Sequence, residues 1–171
     1  ITMIHSLGKI EPARVLVAGL GKEPDLDLRR IRGVTAEACR FLRRAGVERV
    51  GTIAHGAGTG GIDSEKSAQA VAEGAILGLY SFRRHQTKEP EQKEIEELVI
   101  VERDESKLPQ MEWGQARGKV LAEATNLARD MANEPANYMT PNHMAEAAIK
   151  MARDWGLECQ VMERDEMEKL G

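Results

Sequence analysis

The strand-like run Val47 to Ala54 opens into the loop Gly56-Ala57-Gly58-Thr59-Gly60-Gly61 and then into a helix that Asp63 or Ser64 can cap. The loop spells GxGxxG where backbone N–H groups and a helix N-terminus can hold a phosphate. Dinucleotide recognition would also need an acidic residue closing a strand about 20 residues on. Tyr80-Ser81-Phe82 stands there instead, and no Lys-Ser/Thr pair completes a nucleotide P-loop. A plain strand-to-helix connection is the favoured reading, a phosphate site the lesser one.

The other chemistry-bearing residues do not gather. His5, His55, His85 and His143 never fall at i, i+4 on one helix, and none lies beside a carboxylate pair or cysteine at metal-ligand spacing. His55, at a strand end next to the glycine loop, is the one to inspect. Ser64 and Ser67 lack a GxSxG setting and read as cap and surface residues. Arg29, Arg30, Arg32, Arg40, Arg43, Arg44 and Arg49 make one stretch basic, as phosphate contacts to nucleic acid would require. Asp25, Asp27, Glu37 and Glu48 dilute that field, so a solvated or subunit-facing helix is favoured. The carboxylates around Glu89 to Glu97 and Glu163 to Glu168 are mixed with Lys or Arg and read as solvated surface. The residues therefore offer no catalytic, cofactor-binding or metal-binding constellation.

Composition agrees with an ordinary globular chain: 171 residues, 42% hydrophobic, 30% charged and only 4% aromatic. The core must then come from Ala, Val, Leu, Ile and Met. A net charge of −4 gives no general attraction to nucleic acid or acidic membranes. The two cysteines, Cys39 and Cys159, lie far apart and read as reduced, buried thiols of a cytoplasmic protein. No apolar stretch approaches the roughly 18 residues of a membrane helix. Ile1 runs straight into a strand-like segment, which leads us to expect a start inside a larger protein.

Strand and helix patterns alternate. Thr2 to Leu7 and Ala13 to Ala18 read as strands, the second closed by Gly19-Leu20-Gly21. A helix is expected from about Asp25 to Ala45, with Leu28, Ile31, Val34, Ala38, Phe41 and Leu42 at helical spacing and Gly46 as its stop. After the glycine loop a second helix carries Ala68, Val71, Ala72, Ala75, Ile76 and Leu79. Gly74 and Gly78 leave room on it for close packing, at about 1 kcal/mol each relative to Ala. A polar loop over 83–94 leads to a strand, Ile95 to Glu102. A long helix then runs from about Gln110 to Ala132, with Trp113, Val120, Leu121, Ala124, Leu127, Ala128 and Met131 as its apolar face. Pro135 ends it. Thr140-Pro141 opens a further helix bearing Met144, Ala148, Met151 or Ala152, and Trp155, stopped at Gly156. A last strand, Leu157 to Met162, precedes an acidic helix start. The alternation predicts an α/β fold, a layered mixed sheet flanked by helices, with a joint at 133–140.

The most specific stretch is Asn126-Leu-Ala-Arg-Asp-Met-Ala-Asn-Glu-Pro-Ala-Asn-Tyr-Met-Thr-Pro141. It resembles the Asn-x-x-Arg-Asp-x-x-Asn-x-Pro-x-Asn-x-x-Thr-Pro run by which leucine aminopeptidases, the cytosol aminopeptidase family, pass from their amino-terminal domain toward the catalytic one. Val15 to Lys22 is similar to that family's strand closed by Gly-x-Gly-Lys. Ala70 to Phe82 is similar to its helix ending in Tyr-x-Phe, and Leu157 to Gly171 to the strand and acidic helix before the catalytic domain.

The resemblance implies a macro-domain-like amino-terminal domain over 1–134, its first strands missing, and a linker and helical arm over 135–171 leading to an absent catalytic domain. It implies a parent that removes amino-terminal residues from peptides with two divalent ions, manganese or zinc, and that assembles as a cytoplasmic homo-hexamer. The chain departs from the family in lacking the Asn-Thr-Asp-Ala-Glu-Gly-Arg signature around those ions. The expected function is therefore a non-catalytic scaffold, inactive alone, whose partners are its own catalytic domain and other subunits. The competing reading is a ligand- or nucleic-acid-binding macro-like module, motivated by the Gly56–Gly61 loop and the arginine-rich helix, with DNA the less favoured partner.

Overall fold

A computed structural model describes residues 1–58, 61–88 and 93–171. The chain falls into two compact units, Ile1–Asn126 and Leu127–Gly171.

In the first unit β1 (Thr2–His5) and β2 (Arg14–Val17) form an antiparallel hairpin, with Thr2 opposite Val17 and His5 opposite Arg14. Helix α1 (Leu28–Arg44) follows a short 3-10 turn at Glu23–Asp25. It begins later than the apolar spacing suggests because the carboxylate of Asp27 accepts the backbone N–H of Arg30 at 2.7 Å and fixes the first turn there. Gly46, at φ 69°, stops it as expected. Strand β3 (Arg49–Ile53) leads to the glycine loop, of which Thr59 and Gly60 lie outside the described residues. Helix α2 (Ser64–Leu79) is capped by Asp63, which accepts from Lys66 N–H at 2.7 Å. Strand β4 (Glu97–Val101) pairs with β3 in parallel, Arg49 opposite Glu97 and Ile53 opposite Val101. Residues Glu89 to Gln92 of the polar loop are not among those described.

The fold is α/β, with helices flanking small sheets. Antiparallel and parallel pairing are both present, as expected of a mixed α/β fold, and among the described residues they fall in two two-stranded sheets, β1 with β2 and β3 with β4. On the helix side of the parallel pair, Leu98 and Ile100 pack against Ile31, Ile62, Ala70 and Val71, and Ile100 also meets Ala54, Ala68 and Met111. On the other side Ile53, Val99 and Val101 are exposed.

Helix α2 is buried on nearly every side, as expected of a helix between two others. The room left by Gly74 and Gly78 is used by α1. A Cβ at Gly74 would stand 2.6 Å from Arg32 O, and one at Gly78 2.7 Å from Ala36 Cα. Helix α3 (Leu108–Asn133) approaches α2 from another side by the same device, with Gly114 against the carbonyl of Glu65 and Gly118 against that of Gln69.

This contact corrects the apolar face assigned to α3. Its buried line is Met111, Gly114, Gly118 and Ala122, whereas Trp113, Val120, Leu121 and Leu127 are exposed. Hydrophobicity pointed to the bulky residues, but close approach selects the small ones.

The second unit contains α4 (Pro141–Trp155) and α5 (Arg164–Leu170). Pro135 accepts the backbone N–H groups of Tyr138 and Met139, closing the turn after α3. Thr140 and Pro141 start α4 and Gly156, at φ 66°, ends it. Ala152 is its buried residue, while Met144, Met151 and Trp155 from the expected stripe are exposed. Residues 157–162 form no strand. An isolated extended run has no ladder partner to satisfy its N–H and C=O groups, so apolar content alone does not make it one.

Candidate functional site

Polar groups within the first unit converge on two places. One is the seam between α1 and α2. Arg32 donates Nε–H to the carboxylate of Glu73, a residue only 6% exposed, and Gln69 Nε2 donates to the other oxygen at 2.6 Å. Arg43 Nη1 donates to Leu79 O at 2.9 Å and Arg40 Nη1 reaches Gly78 O at 3.5 Å. These carbonyls end α2, where the helix dipole is negative and cations are favoured. Arg43 also pairs with Glu94 at 3.5 Å, and Arg49 with Glu97 at 2.7 Å. The expectation of a solvated or subunit-facing basic surface is corrected for Arg32, Arg40 and Arg43, which are turned to a neighbouring helix of the same chain, whereas Arg29, Arg30, Arg44 and Arg49 are exposed.

The second place is a cleft of about 860 Å³ between β2 and β3, roofed by α1. Val15, Leu16, Val34, Ala38, Leu42 and Val50 give it apolar walls, and Cys39, Thr35, Thr52 and His55 line it as well. His55 Nε2 lies 3.1 Å from Thr52 Oγ1, and Ser67 Oγ donates to the backbone carbonyl of His55 at 2.7 Å. Burial holds the His55 imidazole below its usual range, so the ring is biased to the neutral form. Burial also pushes the Cys39 thiol up to about 11, the opposite of an activated nucleophile.

Ser64 and Ser67 are both buried, which corrects their assignment as surface residues. Ser67 ties α2 to the loop after β3, a role no motif announced. Cys39 is buried as expected, but Cys159 is exposed. His5 closes β1, His85 lies beside the Phe82 ring at 5.9 Å between centroids, and His143 Nδ1 lies 2.8 Å from Thr140 Oγ1. The structure thus leaves the histidines apart. Among the described residues no three His, Cys, Asp or Glu side chains are placed to hold a metal ion, and none of the helices is long and apolar enough to cross a membrane.

Comparison with known proteins fits this architecture. The family model described as "Cytosol aminopeptidase family, N-terminal domain" matches residues 1–89, and that of the same family's catalytic domain matches residues 126–171. A probable cytosol aminopeptidase of Solibacter usitatus (strain Ellin6076) is 38% identical over 175 residues, covering 100% of this chain and 34% of that protein. One of Alkaliphilus metalliredigens (strain QYMF) is 35% identical over 171 residues, covering 99% and 34%. Among solved structures, the bottromycin maturation enzyme BotP in complex with Mn superposes with a TM-score of 0.80 at 29% identity, covering 99% of this chain and 34% of that one. A further BotP structure gives 0.77 at 31% identity, covering 93% and 32%. The chain belongs to the cytosol aminopeptidase family. It spans about a third of the length of the curated relatives it matches.

Proposed function

We propose that this chain is the non-catalytic amino-terminal part of a metal-dependent leucine aminopeptidase and acts as a scaffold within it. The carrying observation is the commitment of its polar groups to internal joints. Arg32 and Glu73 fasten α1 to α2, Arg43 caps α2, and Ser67 fastens α2 to the loop after β3. Groups held in this way position elements rather than act on a substrate.

In this reading residues 1–134 form a macro-like domain, and 135–171, within the stretch that the family's catalytic-domain model matches, form the arm that leads into the rest of the catalytic domain. Two divalent ions, manganese or zinc, would belong to that domain, because the described residues do not fit them: no three-ligand set exists among them. The whole protein would remove amino-terminal residues from peptides as a cytoplasmic homo-hexamer, the scaffold bracing subunits. The arginines facing α2 weigh against the nucleic-acid alternative.

The test is turnover of leucine p-nitroanilide by the 171-residue chain with manganese or zinc added. No turnover is expected, and sustained release of nitroaniline would overturn the reading. A thermal-shift titration with ADP-ribose checks the ligand-binding alternative, for which no shift is expected.

A further inference from the structure

We draw no further inference here: the strongest candidate, the apolar tip of the β1–β2 hairpin, where Leu7 stands 86% exposed at a φ of 53° beside the exposed Ile10 and a buried Ser6 hydroxyl with no partner among the described residues, carries nothing because nothing in the structure shows what covers it.

Discussion

Arg32 of α1 and Glu73 of α2 form an ion pair across the helix seam, with the glutamate almost wholly buried and the arginine side chain 37% exposed. Gln69 holds the second carboxylate oxygen, so the charge is enclosed by donors from both helices. Such a pair fixes an arrangement more than it adds stability, and its removal from one side leaves a stranded charge.

Arg32→Ala is accordingly expected to destabilise the first unit by about 2–3 kcal/mol, less than a fully buried pair because the arginine keeps water contact. Glu73→Gln, which keeps an acceptor and removes the charge, should cost about 1 kcal/mol. Urea denaturation of the two variants checks the order. Equal losses would refute the stranded-charge account.

Gly114→Ala should be more damaging than its helix propensity suggests. The new Cβ would stand 2.1 Å from the carbonyl oxygen of Glu65, a backbone atom that cannot move alone. We expect a net loss of about 2–3 kcal/mol, overpacking outweighing a propensity gain of about 1 kcal/mol. Gly33→Ala, on an exposed part of α1 with nothing within 4 Å, should instead gain about 1 kcal/mol. Thermal denaturation of the pair should show shifts of opposite sign.

Asp63→Ala removes the cap of α2 and should cost about 1 kcal/mol. The side-chain hydrogen bond from Lys66, then the backbone N–H of the same residue, hold the Asp63 carboxyl below its ordinary 3.8. A depressed acid stabilises the fold above its unfolded value and loses that contribution as pH falls through the folded one. The gap between parent and variant, measured by urea denaturation, should be full at neutral pH and close below pH 3.8.

His55 gives a different pH limb. The folded state disfavours its protonation, while the unfolded chain takes up a proton near the ordinary 6.5. Stability is therefore complete above that value and declines as pH drops through it toward the lower folded value. His55→Gln should flatten this part of the stability–pH curve. An unchanged slope would assign the limb to another group.

The two cysteines should separate cleanly. Cys159 is exposed and should react with a disulfide reagent at once. Cys39, with its thiol raised to about 11, should wait for unfolding, its thiolate fraction at pH 8 being on the order of a thousandth. Rapid labelling of both thiols in the folded chain would contradict the burial of Cys39.

The alternation of apolar runs made the strands and helices legible, and local chemistry made their ends so. Asp63, Gly46, Pro135 and Thr140-Pro141 all mark boundaries within a few residues of those observed. What stayed hidden depends on partners remote in sequence. The inward face of α3 follows Gly114 and Gly118, which carry no hydrophobic signal and matter only through the approach of α2. Arg40 and Arg43 looked like surface charge because the carbonyls they meet lie more than 30 residues away. Ser67 gave no cue, since its acceptor is a backbone oxygen. Strand partners stayed unspecified, because apolar periodicity identifies strands but not their neighbours.

The arginine caps on α2 have a mechanical consequence. Apolar stripes on two helices tolerate sliding, whereas guanidinium groups aimed at the carbonyls of residues 78 and 79 do not. Displacing α1 along α2 by one turn, about 5.4 Å, would break the Arg32, Arg40 and Arg43 contacts together. The seam therefore behaves as a keyed joint with a single seated position.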